Sequence, residues 1–113
     1  MEQQTQQVLE WLKGQEGQTL VIEKNELDDR DVVYFELNGV DVREEGGSID
    51  DYLEPALILQ GHGSTENADG DLVQLPGETY EIVTAGLSVS RSQDSGVELQ
   101  TDRARYSLSL SEQ

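Results

Sequence analysis

From Thr19 onward, apolar residues recur at every second position in short runs. Leu20 and Ile22 alternate with polar neighbours in TLVIEK, Leu87 and Val89 with Ser88 and Ser90, and Tyr106, Leu108 and Leu110 with serines. A period of two belongs to a strand with one buried face and is incompatible with a helix. Clusters of Gly, Asn, Asp, Ser and Pro separate the runs and mark turns. Ala56 to Gln60 reads as a buried strand, GHGSTENADGD as a loop, and LVQLPGETYEIVT as two strands broken at Pro76-Gly77. Gln93 to Gly96 reads as a turn. The spacing implies about seven or eight short antiparallel strands in a sandwich, roll or small barrel. The expected class is mainly β (α+β by strict count), as a single domain over 1–113 with one short N-terminal helix.

That helix is expected over 5–13, TQQVLEWLK. Thr5, Val8, Leu9 and Leu12 share one face at helical spacing, and Gly14 and Gly17 mark the end. Such a helix is too short to stand alone and must dock on the sheet. Trp11, beside the stripe, is expected to cover the seam.

Asn25 to Arg30 reads as a charged turn, and DVVYFELNGVDVRE as a hairpin. Asn-Gly is the preferred pair for a two-residue type I′ turn, which places it at Asn38-Gly39. The register then sets Leu37 opposite Val40, Phe35 opposite Val42 and Tyr34 opposite Arg43, with apolar pairs on one face. It also sets Glu36 opposite Asp41, a like-charge pair.

Charge narrows the partners. Asp and Glu number 24 against 7 Lys and Arg, for a formal net charge of −17. Residues 1–60 hold 15 acids and 4 bases, and residues 61–113 hold 9 and 3. Such a surface repels phosphate backbones and anionic headgroups, so neither direct nucleic-acid binding nor a membrane role is expected. It attracts basic proteins and cations. Self-repulsion weakens the compact state, so salt should stabilise it. Adaptation to saline or alkaline surroundings gives the same composition.

There is no cysteine, which removes thiolate metal sites, disulfides and cysteine nucleophiles. No run of about 18 apolar residues suits a bilayer. MEQQTQQ lacks the basic cluster of a secretory or transit segment, and a cytoplasmic location is expected.

Few segments suggest chemistry. NADGD, residues 67–71, has the oxygen-rich look of a calcium loop, but the EF-hand pattern would put the twelfth ligand on Pro76, which cannot ligate. A turn is the simpler reading. Glu44, Glu45, Asp50, Asp51 and Glu54 crowd an acidic loop that could hold a hard cation or dock a basic partner, and one helical turn could form over Ile49 to Leu53. His62 between Gly61 and Gly63 reads as a loop histidine without chemistry, since no GxSxG elbow accompanies it. Ser88, Ser90 and Ser92, and Ser107, Ser109 and Ser111, form two ladders that would make a smooth hydroxyl face if they shared a sheet. The interaction candidates are Glu36, Asp41, Ser88, Ser90, Ser107 and Ser109.

With no catalytic, cofactor or phosphate-loop motif, the leading expectation is a non-enzymatic binding or structural accessory module without a cofactor. It would be monomeric or a weak β-mediated dimer. An acidic decoy occupying a partner's basic, nucleic-acid-binding surface is the alternative; it requires the carboxylates to form one continuous stripe. A carboxylate-based or divalent-cation-dependent enzyme comes third and requires converging carboxyl groups in a pocket.

Overall fold

The alternating runs form one antiparallel sheet. The computed structural model describes residues 3–43, 55–93 and 95–111. These comprise α1 (Gln3–Lys13), β1 (Thr19–Glu26), β2 (Asp29–Arg43), β3 (Ala56–Glu66), β4 (Leu72–Gln74), β5 (Thr79–Val83), β6 (Ser88–Gln93), β7 (Gly96–Gln100) and β8 (Arg105–Leu110). The strand order is β4-β3-β2-β1-β8-β7-β6, and β5 pairs with the first half of β3, on the same side of β3 as β4. β1–β2, β2–β3, β3–β4, β6–β7 and β7–β8 pair antiparallel in chain order, β5 pairs with neither β4 nor β6, and β8 returns to pair with β1.

The sheet must curl. β5 lies at one edge and β6 at the other, yet only residues 84–87 join them. Five Cα steps reach about 18 Å at most, so the two edges are drawn together without hydrogen-bonding. Leu20, Ile22, Phe35, Leu57, Leu59, Ile82, Val97, Leu99 and Leu108 line the inside of this open curl, each at most 2% exposed.

α1 fills the opening. Its buried stripe is Thr5, Val8, Leu9 and Leu12, as the spacing requires, and it packs against β2 and β6. The Trp11 indole N–H donates to the Gln93 carbonyl at 3.0 Å, which places the ring on the seam. The Gln4 side-chain oxygen accepts from the Val89 amide at 2.7 Å, satisfying one edge donor of β6.

Three local expectations are corrected. Asn38-Gly39 is not a turn. β2 runs unbroken from Asp29 to Arg43, with its register against β3 shifting between Leu37 and Gly39. Neither residue has a positive φ, as a type I′ turn would require of both. Glu36 therefore faces Thr19 and His62, not Asp41, while Val40 and Val42 face Leu59 and Leu57. A one-residue bulge reverses which positions face inward, so Val33, Phe35 and Leu37 before it and Val40 and Val42 after it reach the same core.

The turn lies nearer the N-terminus. Glu26 pairs with Asp29 across a two-residue loop, Leu27-Asp28, with Leu27 at φ 54° and fully exposed. The expected charged turn thus shrinks to its two central residues, and its flanks are strand.

GHGSTE is strand, not loop. β3 continues through Gly61, His62 and Gly63 to Glu66, and only the NADGD segment turns. There the Asn67 side-chain oxygen accepts from the amides of Asp69 and Asp71 at 2.9 and 3.0 Å, the Asx turn expected of that composition. Gly61 and Gly63 sit at inward positions against Phe35, and a Cβ on Gly63 would lie 3.1 Å from that ring. Their missing side chains let the aromatic ring occupy the core.

Candidate functional site

Strand alternation sends a second set of side chains to the outside of the curl. One cross-strand row there reads Ser109, Val21, Tyr34, Ser64, Gln74, and the next reads Thr19, Glu36, His62. Directly opposed side chains on neighbouring strands lie within reach of one another. Apart from Ser109, these two rows line a shallow open trough of about 980 Å³, completed by Glu66 and Leu72 on the β4 side. Its described lining carries two carboxylates and no lysine or arginine. Tyr34 and Ser64 are half-buried, whereas Glu36, His62 and Gln74 are exposed.

Glu36, His62 and Ser64 share this face, but no hydrogen bond joins them. Among the described residues, no three His, Asp or Glu side chains converge as metal ligands would. The acidic loop candidates Glu44, Glu45, Asp50, Asp51 and Glu54, the possible helical turn over Ile49 to Leu53, and Asp94 of the β6–β7 turn lie outside the described residues.

The other interaction candidates scatter. Asp41 accepts a hydrogen bond from the Gln60 amide, and Arg43 beyond it pairs with Glu81. Ser107 and Ser109 do share the outer face of β8, but β7 separates them from Ser88 and Ser90. The ladder on β6 is itself broken. A register shift between Val89 and Arg91 leaves Ser90 unpaired, its hydroxyl donating to the Glu98 carbonyl at 3.1 Å, and Arg91 takes the position beside Glu98. The continuous hydroxyl face is therefore absent.

Charge is mixed at the hairpin end. The Arg30 guanidinium bonds Glu23 at 2.9 Å, and this bond, with a weaker one from Asn25, lowers the Glu23 carboxyl below its ordinary range. Arg30 and Arg105 both pair with Asn25 in the same row. Arg43, Arg91 and Arg105 thus interrupt any stripe of carboxylates on the outer face.

The inside offers less room. A recess of about 330 Å³ opens beside Lys24, Asp31, Thr65, Leu75 and Tyr80. Tyr80 meets Phe35 edge-on, centroids 6.2 Å apart, and burial raises its phenol well above the ordinary value, with smaller contributions from Tyr106 and Asp31. Burial likewise raises Tyr106, with a smaller push from Glu26 that Arg103 opposes. Below this mouth the interior is filled by aliphatic side chains and the rings of Phe35 and Tyr106.

The reading of 61–66 as a loop hid the trough. Once those residues are strand, His62, Ser64 and Glu66 fall on one face at spacing two, and that spacing was visible in the sequence. That Tyr34, Glu36 and Gln74 adjoin them is set by the register alone.

The family described as "YmzB-like protein" matches this chain over residues 1–113. A protein of Bacillus subtilis (strain 168), "Uncharacterized protein YmzB", is 34% identical over 110 residues, covering 92% of each chain. No solved structure matches.

Proposed function

We propose that this chain, which belongs to the YmzB-like protein family, is a non-enzymatic binding module that receives a basic partner protein on the outer face of β1–β4. The observation that supports this most is the trough itself. It combines Tyr34, an aromatic wall, with Glu36 and Glu66 and no lysine or arginine. Tyrosine supplies contact area at low entropic cost, and unopposed carboxylates steer a basic partner in. The filled interior argues against a ligand held inside the curl, and the small recess beside Tyr80 would admit little.

The decoy reading draws less support, because Arg43, Arg91 and Arg105 break up the carboxylates that would have to imitate a phosphate track. For an enzyme, the supporting feature would be a carboxyl raised by burial, whereas the Arg30 guanidinium lowers that of Glu23. A cytoplasmic location belongs to the same proposal. Among the described residues, no helix is long and apolar enough to cross a membrane.

The test is a titration of isotope-labelled protein with a short arginine-rich peptide, against an acidic peptide of equal length. The basic peptide should shift the amides of Tyr34, His62, Ser64 and Gln74. The E36K/E66K double variant should bind it about fivefold to tenfold more weakly. An E10K/D28K double variant, with the same change in net charge, should bind within about twofold of wild type. Equal losses in both variants, or shifts spread over every acidic residue, would overturn the reading.

A further inference from the structure

The trough ends at β4, which among the described residues is paired on one side only. β4 pairs with β3 on one side through Ser64–Gln74, Thr65–Val73 and Glu66–Leu72. The Asn67 amide donates to the Asp71 carbonyl at 2.9 Å and the Leu75 amide to the Gly63 carbonyl at 2.8 Å, in the same register. Hydrogen-bonded pairs alternate along an antiparallel ladder, so the peptide groups of Val73 face β3 and those of Leu72 and Gln74 face away. Two N–H and two C=O groups therefore point outward along β4.

The side chains of that edge are exposed on both faces. Leu72 is 61% exposed and lines the trough with Gln74, while Val73, on the opposite face, is 46% exposed. These are unusual residues to leave at an open edge, where charge or proline normally blocks pairing. The edge at β6 is treated differently, since Gln4 occupies the Val89 amide and Trp11 the Gln93 carbonyl.

We propose that β4 is a docking strand, to which a partner protein adds an extended segment carrying lysine or arginine at alternate positions. This rests on the reading of the trough as a binding surface and adds the mode of recognition. Backbone pairing with Leu72 and Gln74 supplies affinity, and alternate side chains of the added strand extend over the trough. Charge selects the occupant. Glu66 lies opposite Leu72, Asp69, Asp71 and Glu78 flank β4 in the sequence, and there is no lysine or arginine between Arg43 and Arg91. A second copy would set these carboxylates against their own likeness, whereas a basic segment neutralises them.

The register supplies a clean variant. Q74P removes an outward N–H and leaves the β3 ladder intact, and proline is tolerated on an edge strand in that orientation. The probe is a blocked peptide of alternating lysine and valine, compared with the same peptide N-methylated at alternate residues, which keeps the charge and loses the donors. The unmethylated peptide should slow hydrogen exchange at Leu72 and Gln74. N-methylation of the peptide, or Q74P in the protein, should each weaken binding about tenfold. Thermal melting checks that Q74P is folded, and L72P, which removes the other outward N–H, is the second variant should Q74P not fold.

If methylation and Q74P change nothing while E36K/E66K still weakens binding, strand addition is overturned and the trough reading stands. If Q74P abolishes binding and E36K/E66K does not affect it, strand addition stands and the trough reading falls. If the peptide does not bind, both fall. A concentration-dependent dimer in sedimentation, dissolved by Q74P, would make the occupant a second copy and overturn the basic-partner assignment.

Discussion

The carbonyl oxygen of Glu36 stands 1.8 Å from where a Cβ on Gly61 would be. The same glycine holds φ at 154°, outside the range side chains favour, and the Phe35 ring lies 3.1 Å from the same point. β2 and β3 approach at this spot because residue 61 has no side chain. The contact also sets the height of His62 beside Glu36 in the trough, so one glycine couples the core to the candidate site.

G61A should therefore be among the most costly single substitutions in the chain. The added methyl must push backbone, not a flexible side-chain end, and a loss of about 3 kcal/mol is expected. That corresponds to a fall in Tm of about 12 °C for a domain of this size. G63A meets the side chains of Phe35, Leu75 and Val33 at 3.1–3.3 Å, which can give way, and should cost about half as much. Thermal melts of the two variants side by side test the difference.

The bulge makes the opposite prediction. Asn38 is exposed, and Gly39 needs no positive φ. N38A and G39A should each leave stability within about 0.5 kcal/mol of wild type. A type I′ turn at this pair would make both substitutions costly, because both positions would require a positive φ. Denaturant titration of the two variants decides the matter.

Leu27 occupies a left-handed conformation at the tip of the first hairpin, fully exposed. The side chain gains nothing from burial, and the conformation costs about 1 kcal/mol in a residue with a Cβ. L27G should relieve that strain, offset in part by the greater freedom of glycine in the unfolded chain. A net gain of about 0.5 kcal/mol is expected, read as a rise in the denaturant midpoint.

Helix α1 guards the β6 edge through two hydrogen bonds. Q4A leaves the Val89 amide without its 2.7 Å partner, and W11F removes the indole donor to Gln93 while keeping an aromatic ring. Each should cost about 1 kcal/mol. Q4A should also speed hydrogen exchange at Val89 while leaving the Leu20 and Ile22 amides protected, because only the seam opens locally.

Alkaline pH should destabilise the fold through two phenols. Burial raises Tyr80 and Tyr106 above their unfolded value near 10. The folded chain then holds protons that the unfolded chain has released, so stability is undiminished below about pH 10 and falls as pH rises beyond it. Y80F should flatten this decline, since a phenylalanine has no proton to lose. Melting midpoints from pH 8 to 11 for wild type and Y80F provide the measurement, with tyrosinate absorbance following the unfolding transition.

Much of the fold was legible in the chain. Alternation marks the inward residues of β1 and β8, and the helical stripe of Thr5, Val8, Leu9 and Leu12 is correct in every member. Alternation and turn composition are local, and local sequence specifies them. The site was less legible. Glu36 stands out in the sequence, but His62 reads as a loop residue, Ser64 beside it lacks a nucleophile elbow, and nothing local groups Tyr34, Leu72 and Gln74 with them, because a surface made by four strands exists only once their register is known.

Asn38-Gly39 shows where the boundary lies. A two-residue turn and a one-residue bulge both reverse the inward positions, so Phe35, Leu37, Val40 and Val42 fit one core under either reading. The sequence by itself determined that the reversal occurs there. Whether the chain turns back or continues was decided by β3, which pairs with β2 on both sides of the bulge from Tyr34 to Arg43. That pairing joins residues far apart in sequence, and no local propensity encodes it. Gly61 and Gly63 follow the same logic, as loop residues by composition that became strand because the Phe35 ring needed their space.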